Sequence, residues 1–264
     1  MSFSAVVIGS GLTAWANLKK SAVTQQQLMA QSAQVERATT YFLENAGSIT
    51  SSLDITEDFR LMQVSLGAFG LSEDSASKYF IKRIMDEGVA SSDALANKLS
   101  DRRYRLLAAN FDFSNSIFPG LSADSTQGVV DRFVREQFEK SVGETDNSLR
   151  LSLNFSRTIS EISASSSSDA AAWYQVLGTP PTREVIAKAL GLPDQFFNLD
   201  IDDQVTRMSE RAESRFGTSS IRDLSGPELS DRIIESYLLQ EQINQTSALS
   251  ASQTALSLLR SLPG

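Results

Sequence analysis

The spacing of apolar residues predicts helices along most of the chain. Between Leu12 and Asn45 there is neither proline nor glycine, and Ala, Leu, Gln, Lys and Glu, which favour helices, are frequent. The apolar positions from Leu18 to Phe42 recur at intervals of five or seven residues, which is closer to a heptad pattern than to an ordinary surface helix. No segment alternates strictly between apolar and polar residues, as a half-buried strand would. We therefore expect an all-α fold.

Shorter helices are expected after this first segment. Asp54 and Glu57 have the spacing of a capping box, in which an N-terminal side chain accepts a hydrogen bond from an amide three residues on. The helix that it opens is predicted to end at Gly70, a second to run from about 72 to 87, and a third to begin at Ser100. The apolar positions of the first two helices are Phe59, Leu61, Met62, Leu66, Phe69, Ala76, Tyr79, Phe80, Ile84 and Met85.

Short motifs of the first half recur in the second half. The pairs are AFGL at 68–71 and ALGL at 189–192, DEGV at 86–89 and RFGT at 215–218, and LSDR at 99–102 and 229–232. The separations are 121, 129 and 130 positions, and they increase along the chain, as expected for a repeat whose second copy carries an insertion. The natural place for that insertion is 193–202, where Pro193 and Asn198 favour a loop.

The repeated motifs are predicted to mark the ends of helices. Glycine suits the left-handed position after a helix, and a following leucine completes a Schellman cap. Serine suits the N-cap, and an aspartate beside it interacts favourably with the helix dipole. The cap residues expected on these grounds are Gly70, Gly88, Ser100, Gly191, Gly217 and Ser230. Arg102 and Arg232 follow the two serines, and we considered a tethering salt bridge and a partner contact as their roles.

These elements define the expected organisation of the chain. It comprises a flexible arm at 1–11, an N-terminal helix at 12–50, a first helical repeat at 51–113, central helices at 128–164, a second repeat at 170–240 and a C-terminal helix at 241–264. The expected fold is thus all-α and multihelical, with two related three-helix repeats joined by long central helices and with extended N- and C-terminal helices.

The segment AVVIGSGLTA at 5–14 is close to the dinucleotide-binding fingerprint G-x-G-x-x-[GA]. That fingerprint requires a βαβ unit with an acidic residue at the end of a second strand. Here the sequence after Gly11 continues as a predicted helix to about Asn45, so the second strand has no place. We interpret the glycines as part of a flexible arm that Trp15 anchors, and we expect no cofactor.

Composition narrows the possible chemistry. The chain has 24 basic and 32 acidic residues, and a net charge of −8 is unfavourable for nucleic-acid binding. No apolar run approaches the length of a membrane span, and Lys19 and Lys20 follow the first apolar stretch, so no cleaved signal peptide is expected. Since cysteine and histidine are absent, thiol nucleophiles, Ser-His-Asp triads and zinc sites built on these residues are excluded. Carboxylate chemistry, a Ser-Lys dyad and carboxylate-bound Mg²⁺ stay open, with DIDD at 200–203 as the acidic cluster.

Several segments resemble a known family. They are LMQVSLGAFGLSEDSASKYFIKRIMDEGV, DALANKLSDRRYRLLAANFDF, FVREQFEKSVGETDNSLRLSLNFSR and AWYQVLGTPPTREVIAKALGLP. They resemble a bacterial family of unknown function that is frequent in alphaproteobacteria and commonly encoded among flagellar genes, with some members labelled flagellar basal-body proteins. The resemblance implies a mostly helical fold and a flagellar association, and it implies no catalytic residues. The N-terminal motif of rod and hook proteins has no clear match in this chain.

We therefore expect a non-enzymatic, flagellum-associated protein with a structural or assembly role, located in the cytoplasm or in the flagellar basal body. Its partners would be proteins, including flagellar components or a second copy of the chain. The polar, sparsely apolar segments 21–34 and 240–262 are typical of helices that await a partner. Trp173 and Tyr174 either form an aromatic surface anchor or pack on the next helix. The alternative function is a cytosolic helical adaptor or export chaperone that binds a partner helix.

Overall fold

The structure, a computed structural model, describes residues 3–114 and 120–260, with only the backbone described for residue 245 and residues 247–260. Every regular element within these ranges is helical, which confirms the all-α prediction. The α-helices are α1 (Gly11–Ala30), α2 (Ala33–Asn45), α3 (Ser52–Glu57), α4 (Phe59–Gly67), α5 (Lys78–Glu87), α6 (Leu95–Lys98), α7 (Arg102–Asn110), α8 (Ala123–Gly143), α9 (Asn147–Ser165), α10 (Asp169–Leu177), α11 (Pro180–Ala189), α12 (Ile201–Phe216), α13 (Ile221–Leu224) and α14 (Pro227–Arg260). Single 3₁₀ turns occupy Ala46–Ser48, Ser72–Ala76 and Asp194–Asn198.

The chain forms two compact units. Unit 1 comprises Met1–Val7 and Leu18–Thr145, and unit 2 comprises Ile8–Asn17 and Asp146–Gly264. In unit 1, α4 packs against α2 and α8, and α5 packs against α3 and α7. In unit 2, α11 packs against α9 and α14, and α10 packs against α12.

Unit 1 contains a close approach between two helices. Gly67 is the last residue of α4, and it is buried against Phe133 of α8. A Cβ atom on Gly67 would lie 2.7 Å from the Phe133 ring, well inside van der Waals contact. The packing of α4 on α8 therefore requires glycine at this position.

Unit 2 is held by an apolar core and by one ion-pair cluster. Trp173 of α10 is 2% exposed, and its indole Nε1 donates to the Ser219 carbonyl oxygen at 2.9 Å. Lys188 of α11 lies 2.9 Å from Glu184 on its own helix and 2.9 Å from Glu241 on α14. Burial opposes the charge of Lys188, but the two carboxylates outweigh it and raise the pKa of the ammonium group. The lysine therefore links α11 to α14.

The two glycine-leucine motifs lie at Schellman caps. Gly70 and Gly191 have φ angles of +70° and +69°, which favour glycine. The Leu71 amide donates to the Leu66 carbonyl at 2.9 Å, and the Leu192 amide donates to the Ala187 carbonyl at 3.0 Å, the six-to-one bond of this motif. Gly88 and Gly217 also have positive φ and follow the last residues of α5 and α12.

The two serine N-caps were placed wrongly. Helix α7 is capped by Asp101, whose carboxylate accepts from the Arg103 amide at 2.9 Å, so Ser100 lies one residue outside the helix cap. Ser230 is a buried residue inside α14, which already begins at Pro227. The physical reason is that proline is favoured in the first helical turn, since it lacks the amide hydrogen that would have no partner there.

The capping box at the start of α3 lies three residues earlier than predicted. Ser51 is the N-cap, and its hydroxyl accepts from the Asp54 amide at 3.4 Å. The Asp54 carboxylate accepts from the amides of Thr50 at 2.8 Å and Ser51 at 2.9 Å. These hydrogen bonds, that from Thr50 first, lower the pKa of Asp54. Asp54 is therefore the acidic member of the box and not its first residue.

The N-terminal segment differs from its prediction in two ways. The expected single helix is divided between α1 and α2, because Ser32 adopts an extended conformation and its hydroxyl donates to the Met29 carbonyl at 2.7 Å. The arm predicted to be flexible is tied to unit 1 by buried Gln25, whose amide oxygen accepts from the Val6 amide at 2.7 Å and whose amide nitrogen donates to the Val6 carbonyl at 3.0 Å. The Ala5 amide donates to the Ser141 hydroxyl at 2.9 Å.

Three of the apolar positions assigned to the first two short helices, Phe59, Ala76 and Tyr79, are exposed. Ala76 ends the 3₁₀ turn before α5 and is not part of an α-helix. Phe59 opens α4 and Tyr79 lies in the first turn of α5, and both side chains face solvent. Neighbouring helices do not always extend over the first turn of a helix. An apolar residue in that turn can therefore face solvent even where the apolar spacing predicts that it is buried.

The two units contain the same order of elements. Unit 1 has α4, a Schellman glycine, a 3₁₀ turn, α5, a positive-φ glycine, the short helix α6 and then α7. Unit 2 has α11, a Schellman glycine, a 3₁₀ turn, α12, a positive-φ glycine, the short helix α13 and then α14. With this order matched, α12 has 16 residues against 10 in α5, so most of the expected insertion lies in a helix and not in the 193–202 loop. Duplication itself stays a prediction.

Candidate functional site

The predicted aromatic residues separate into core and surface. Trp15 lies in α1 and is buried, as a residue that anchors the preceding arm would be, and the anchoring itself stays a prediction. Trp173 is buried, while its neighbour Tyr174 is 41% exposed. Successive residues of a helix point about 100° apart, which places one on the core and the other on the surface. Of the aromatic candidates, Tyr174 alone is a surface residue.

The predicted arginines lie at helix surfaces. Arg102 is half-buried at the start of α7, and Arg232 is exposed on α14 with its guanidinium carbon 6.0 Å from the centroid of the Phe216 ring. Sequence reasoning missed two other arginines that complete the Schellman caps. Arg103 donates to the Gly70 carbonyl at 2.5 Å, and Arg211 donates to the Leu190 carbonyl at 3.2 Å. Both have a structural role, since they satisfy carbonyls left open where a helix ends.

Three large exposed side chains of unit 2 lie on α10, on the 3₁₀ turn Asp194–Asn198 and at the start of α12, which packs against α10. We call them the Tyr174 patch, and they are Tyr174, Phe197 and Ile201, which are 41%, 37% and 54% exposed. The Tyr174 hydroxyl donates to Asp202 at 2.5 Å, directly beside Ile201. This bond to a carboxylate stabilises the neutral phenol and raises the pKa of Tyr174.

Further contacts connect the patch to Phe197. The Arg183 guanidinium carbon lies 5.1 Å from the Phe197 ring centroid, within the range of a cation–π interaction. Arg183 also donates to the Leu177 carbonyl at 3.4 Å, near the end of the helix that carries Tyr174. Gln204 donates to the Leu199 carbonyl at 2.8 Å and so holds the 3₁₀ turn against α12. Contacts from α10, α11, the 3₁₀ turn and α12 therefore hold the patch together.

The described apolar side chains of α14 change from buried to exposed along the helix. Its buried hydrophobic side chains are Ile233, Ile234, Tyr237 and Leu238, whereas Leu239 and Ile243 are 46% and 56% exposed. The helix continues to Arg260, and no charged residue occurs between Gln242 and Leu259. The apolar positions predicted at Leu249, Leu256 and Leu259 have no described side chains, and residues 261–264 lie outside the described ranges.

A polar cavity of about 230 Å³ lies between α9, α10 and α13 of unit 2. Ser166, Ser167, Ser168 and Arg222 line it, and Asp169 accepts from the Ser220 hydroxyl at 3.2 Å and from the Ile221 amide at 3.0 Å. These bonds close the corner between α10 and α13, so Asp169 is used structurally.

Among residues 3–114 and 120–260, no three acidic side chains come together in a way that could hold a metal ion. The described helices also include none that combines the length and apolar character of a membrane span.

Comparison with known proteins identifies the family. A family model described as a protein of unknown function (DUF1217) matches residues 68–230, which is more than half of the chain. The crystal structure of a protein from Agrobacterium tumefaciens, a structural genomics target, is 26% identical to this chain and superposes with a TM-score of 0.70. The match covers 91% of this chain and 99% of that one. No curated protein matches the sequence. The chain therefore belongs to the DUF1217 family, whose function is unknown.

Proposed function

We propose that this protein is a non-enzymatic component of the flagellar system, with a structural or assembly role, and that it acts through protein–protein contacts made by the C-terminal half of α14. The observation that carries the proposal is the exposed side chain of Ile243, at the start of a stretch of α14 without charged residues between Gln242 and Leu259. The helix has 34 residues and is about 50 Å long, and this stretch makes up its C-terminal half.

The composition of this half of the helix supports the proposal. A solvated helix normally carries charged residues on its outer face. Charged residues make up 21% of the whole chain, so some would be expected in a stretch of this length. Between Gln242 and Leu259 the sequence instead consists of small, polar uncharged and apolar residues, and the exposed Ile243 continues the apolar side. Such a segment gains most by pairing with another helix, because its apolar positions are then removed from water at little desolvation cost.

The flagellar part of the proposal depends on the sequence resemblance described above, which links the AFGL and ANKLSDRRY segments to proteins encoded among flagellar genes. Those segments lie at 68–71 and 96–104, outside α14. The surface of contact and the cellular system are thus supported by different parts of the chain, and each can be tested separately.

An in-frame deletion of the gene in the organism that encodes it tests the cellular role. We expect the deletion strain to swim poorly or not at all, and electron microscopy to show absent or truncated flagella, with both defects reversed by a plasmid copy. Arrest before the rod is complete would indicate a structural role, and arrest with complete basal bodies an assembly role. A deletion strain with normal flagella and normal swimming would refute the flagellar proposal.

A further inference from the structure

We propose that the Tyr174 patch binds a basic amphipathic helix of a partner protein. The patch lies within the matched family region, on α10, the 3₁₀ turn and α12, and does not involve the C-terminal half of α14. The inference therefore goes beyond the proposed function and stands or fails independently of it.

The side chains of the Tyr174 patch combine exposure with order. Tyr174, Phe197 and Ile201 are substantially exposed on elements that hydrogen bonds join: Tyr174 donates to Asp202, next to Ile201, and Gln204 of α12 donates to the Phe197 carbonyl at 3.4 Å. Specific contacts hold two of the three side chains in place. Tyr174 is held by its bond to Asp202, and Phe197 is held beneath the guanidinium of Arg183. Exposed side chains that are already ordered lose little conformational entropy when a partner covers them, so they are suited to binding.

The elements that carry Phe197 and Ile201 are rich in exposed aspartates. Asp194, Asp200, Asp202 and Asp203 are exposed on the 3₁₀ turn and at the start of α12. Acidic residues in a first helical turn interact favourably with the helix dipole, which accounts for Asp202 and Asp203. Asp200 occupies the N-cap position, but its side chain makes no capping hydrogen bond. Arg183, which lies over the Phe197 ring, offsets part of this charge, and the four aspartates leave an acidic rim.

The apolar residues and the acidic charge of the patch together indicate the class of its partner. An acidic rim repels phosphate groups, so nucleic acids and anionic lipid surfaces are unfavourable partners. A helix with apolar residues on one side and lysine or arginine at its edges matches both features, because its apolar side covers Tyr174, Phe197 and Ile201 while its charges meet the aspartates.

Fluorescence anisotropy of labelled synthetic peptides tests the proposal. The probe is an 18-residue amphipathic helix of leucine and lysine, and its matched control carries glutamate at each lysine position. The protein variants are Ile201→Ser, which removes the most exposed apolar residue of the patch, and Asp200→Asn with Asp203→Asn, which removes charge. Phe59→Ser, at an exposed aromatic residue of unit 1, is the matched control variant.

We expect the lysine peptide to bind the wild-type chain and the glutamate peptide not to bind. Ile201→Ser and the double asparagine variant should each weaken binding by about tenfold, the loss expected for a residue central to an interface. Only the double variant should reduce the dependence of affinity on salt. Phe59→Ser should bind as the wild type does. Equal affinity for both peptides, equal affinity of all variants, or no binding of the lysine peptide would overturn the proposal.

Discussion

Replacing Trp173 with alanine is expected to lower the free energy of unfolding by about 3–5 kcal/mol, the usual cost of removing a large buried aromatic side chain. Trp173 is almost fully buried in unit 2, and its indole also satisfies the Ser219 carbonyl. Alanine would leave a cavity and a carbonyl without its donor. Urea unfolding followed by far-UV circular dichroism measures the loss.

The adjacent residue provides the matched control. Tyr174→Ala removes a side chain that is largely at the surface and one hydrogen bond to Asp202, so the expected loss is below about 1 kcal/mol. If Tyr174→Ala proved as destabilising as Trp173→Ala, the assignment of one residue to the core and the other to the surface would be wrong.

Replacing Gly67 with alanine is expected to destabilise unit 1 by about 1–3 kcal/mol through overpacking. The new methyl group would meet the Phe133 ring. The two helices could relieve this overlap only by separating, which would loosen the packing of α4 on α8. Urea unfolding again measures the effect, and the additional variant Gly67→Ala with Phe133→Leu should recover part of the loss by making room for the methyl group.

A glycine in the partner helix gives the opposite expectation. Gly128 lies inside α8, and a Cβ atom there would meet nothing within 4 Å. Gly128→Ala should therefore stabilise the protein by about 0.5–1 kcal/mol, because alanine loses less backbone entropy in a helix. A stabilising Gly67→Ala would contradict the described contact between α4 and α8, and a destabilising Gly128→Ala would contradict the open space described around Gly128.

The parts of the fold that follow from local sequence rules could be predicted. Helices were expected from apolar spacing, and glycine followed by leucine marks both Schellman caps because the left-handed conformation is needed at that residue and nowhere else in the turn. The N-caps were less determined. At positions 100 and 101 serine and aspartate stand side by side, and both are good caps, so composition alone could not choose Asp101.

The missed contacts are those made between residues far apart in the chain. Arg103 reaches the Gly70 carbonyl across 33 positions, and Gln25 reaches Val6 across 19. No local pattern marks such pairs, because the packing of the helices decides which residues that are distant in the sequence meet in the folded chain. The Tyr174 patch was missed for the same reason, since Phe197 and Ile201 join Tyr174 only after α10 and α12 pack together.

The uncharged stretch of α14 that begins at the exposed Ile243 is the proposed surface through which the protein acts. Its most direct test is the swimming of strains that carry Ile243→Asp or, as control, Tyr79→Asp at the chromosomal locus, at equal protein level. Both residues are exposed, so neither substitution should unfold the protein, but only Ile243→Asp places a charge on the proposed contact surface. We expect impaired swimming with Ile243→Asp and normal swimming with Tyr79→Asp. Normal swimming with both, in an organism whose deletion strain does not swim, would contradict the proposal.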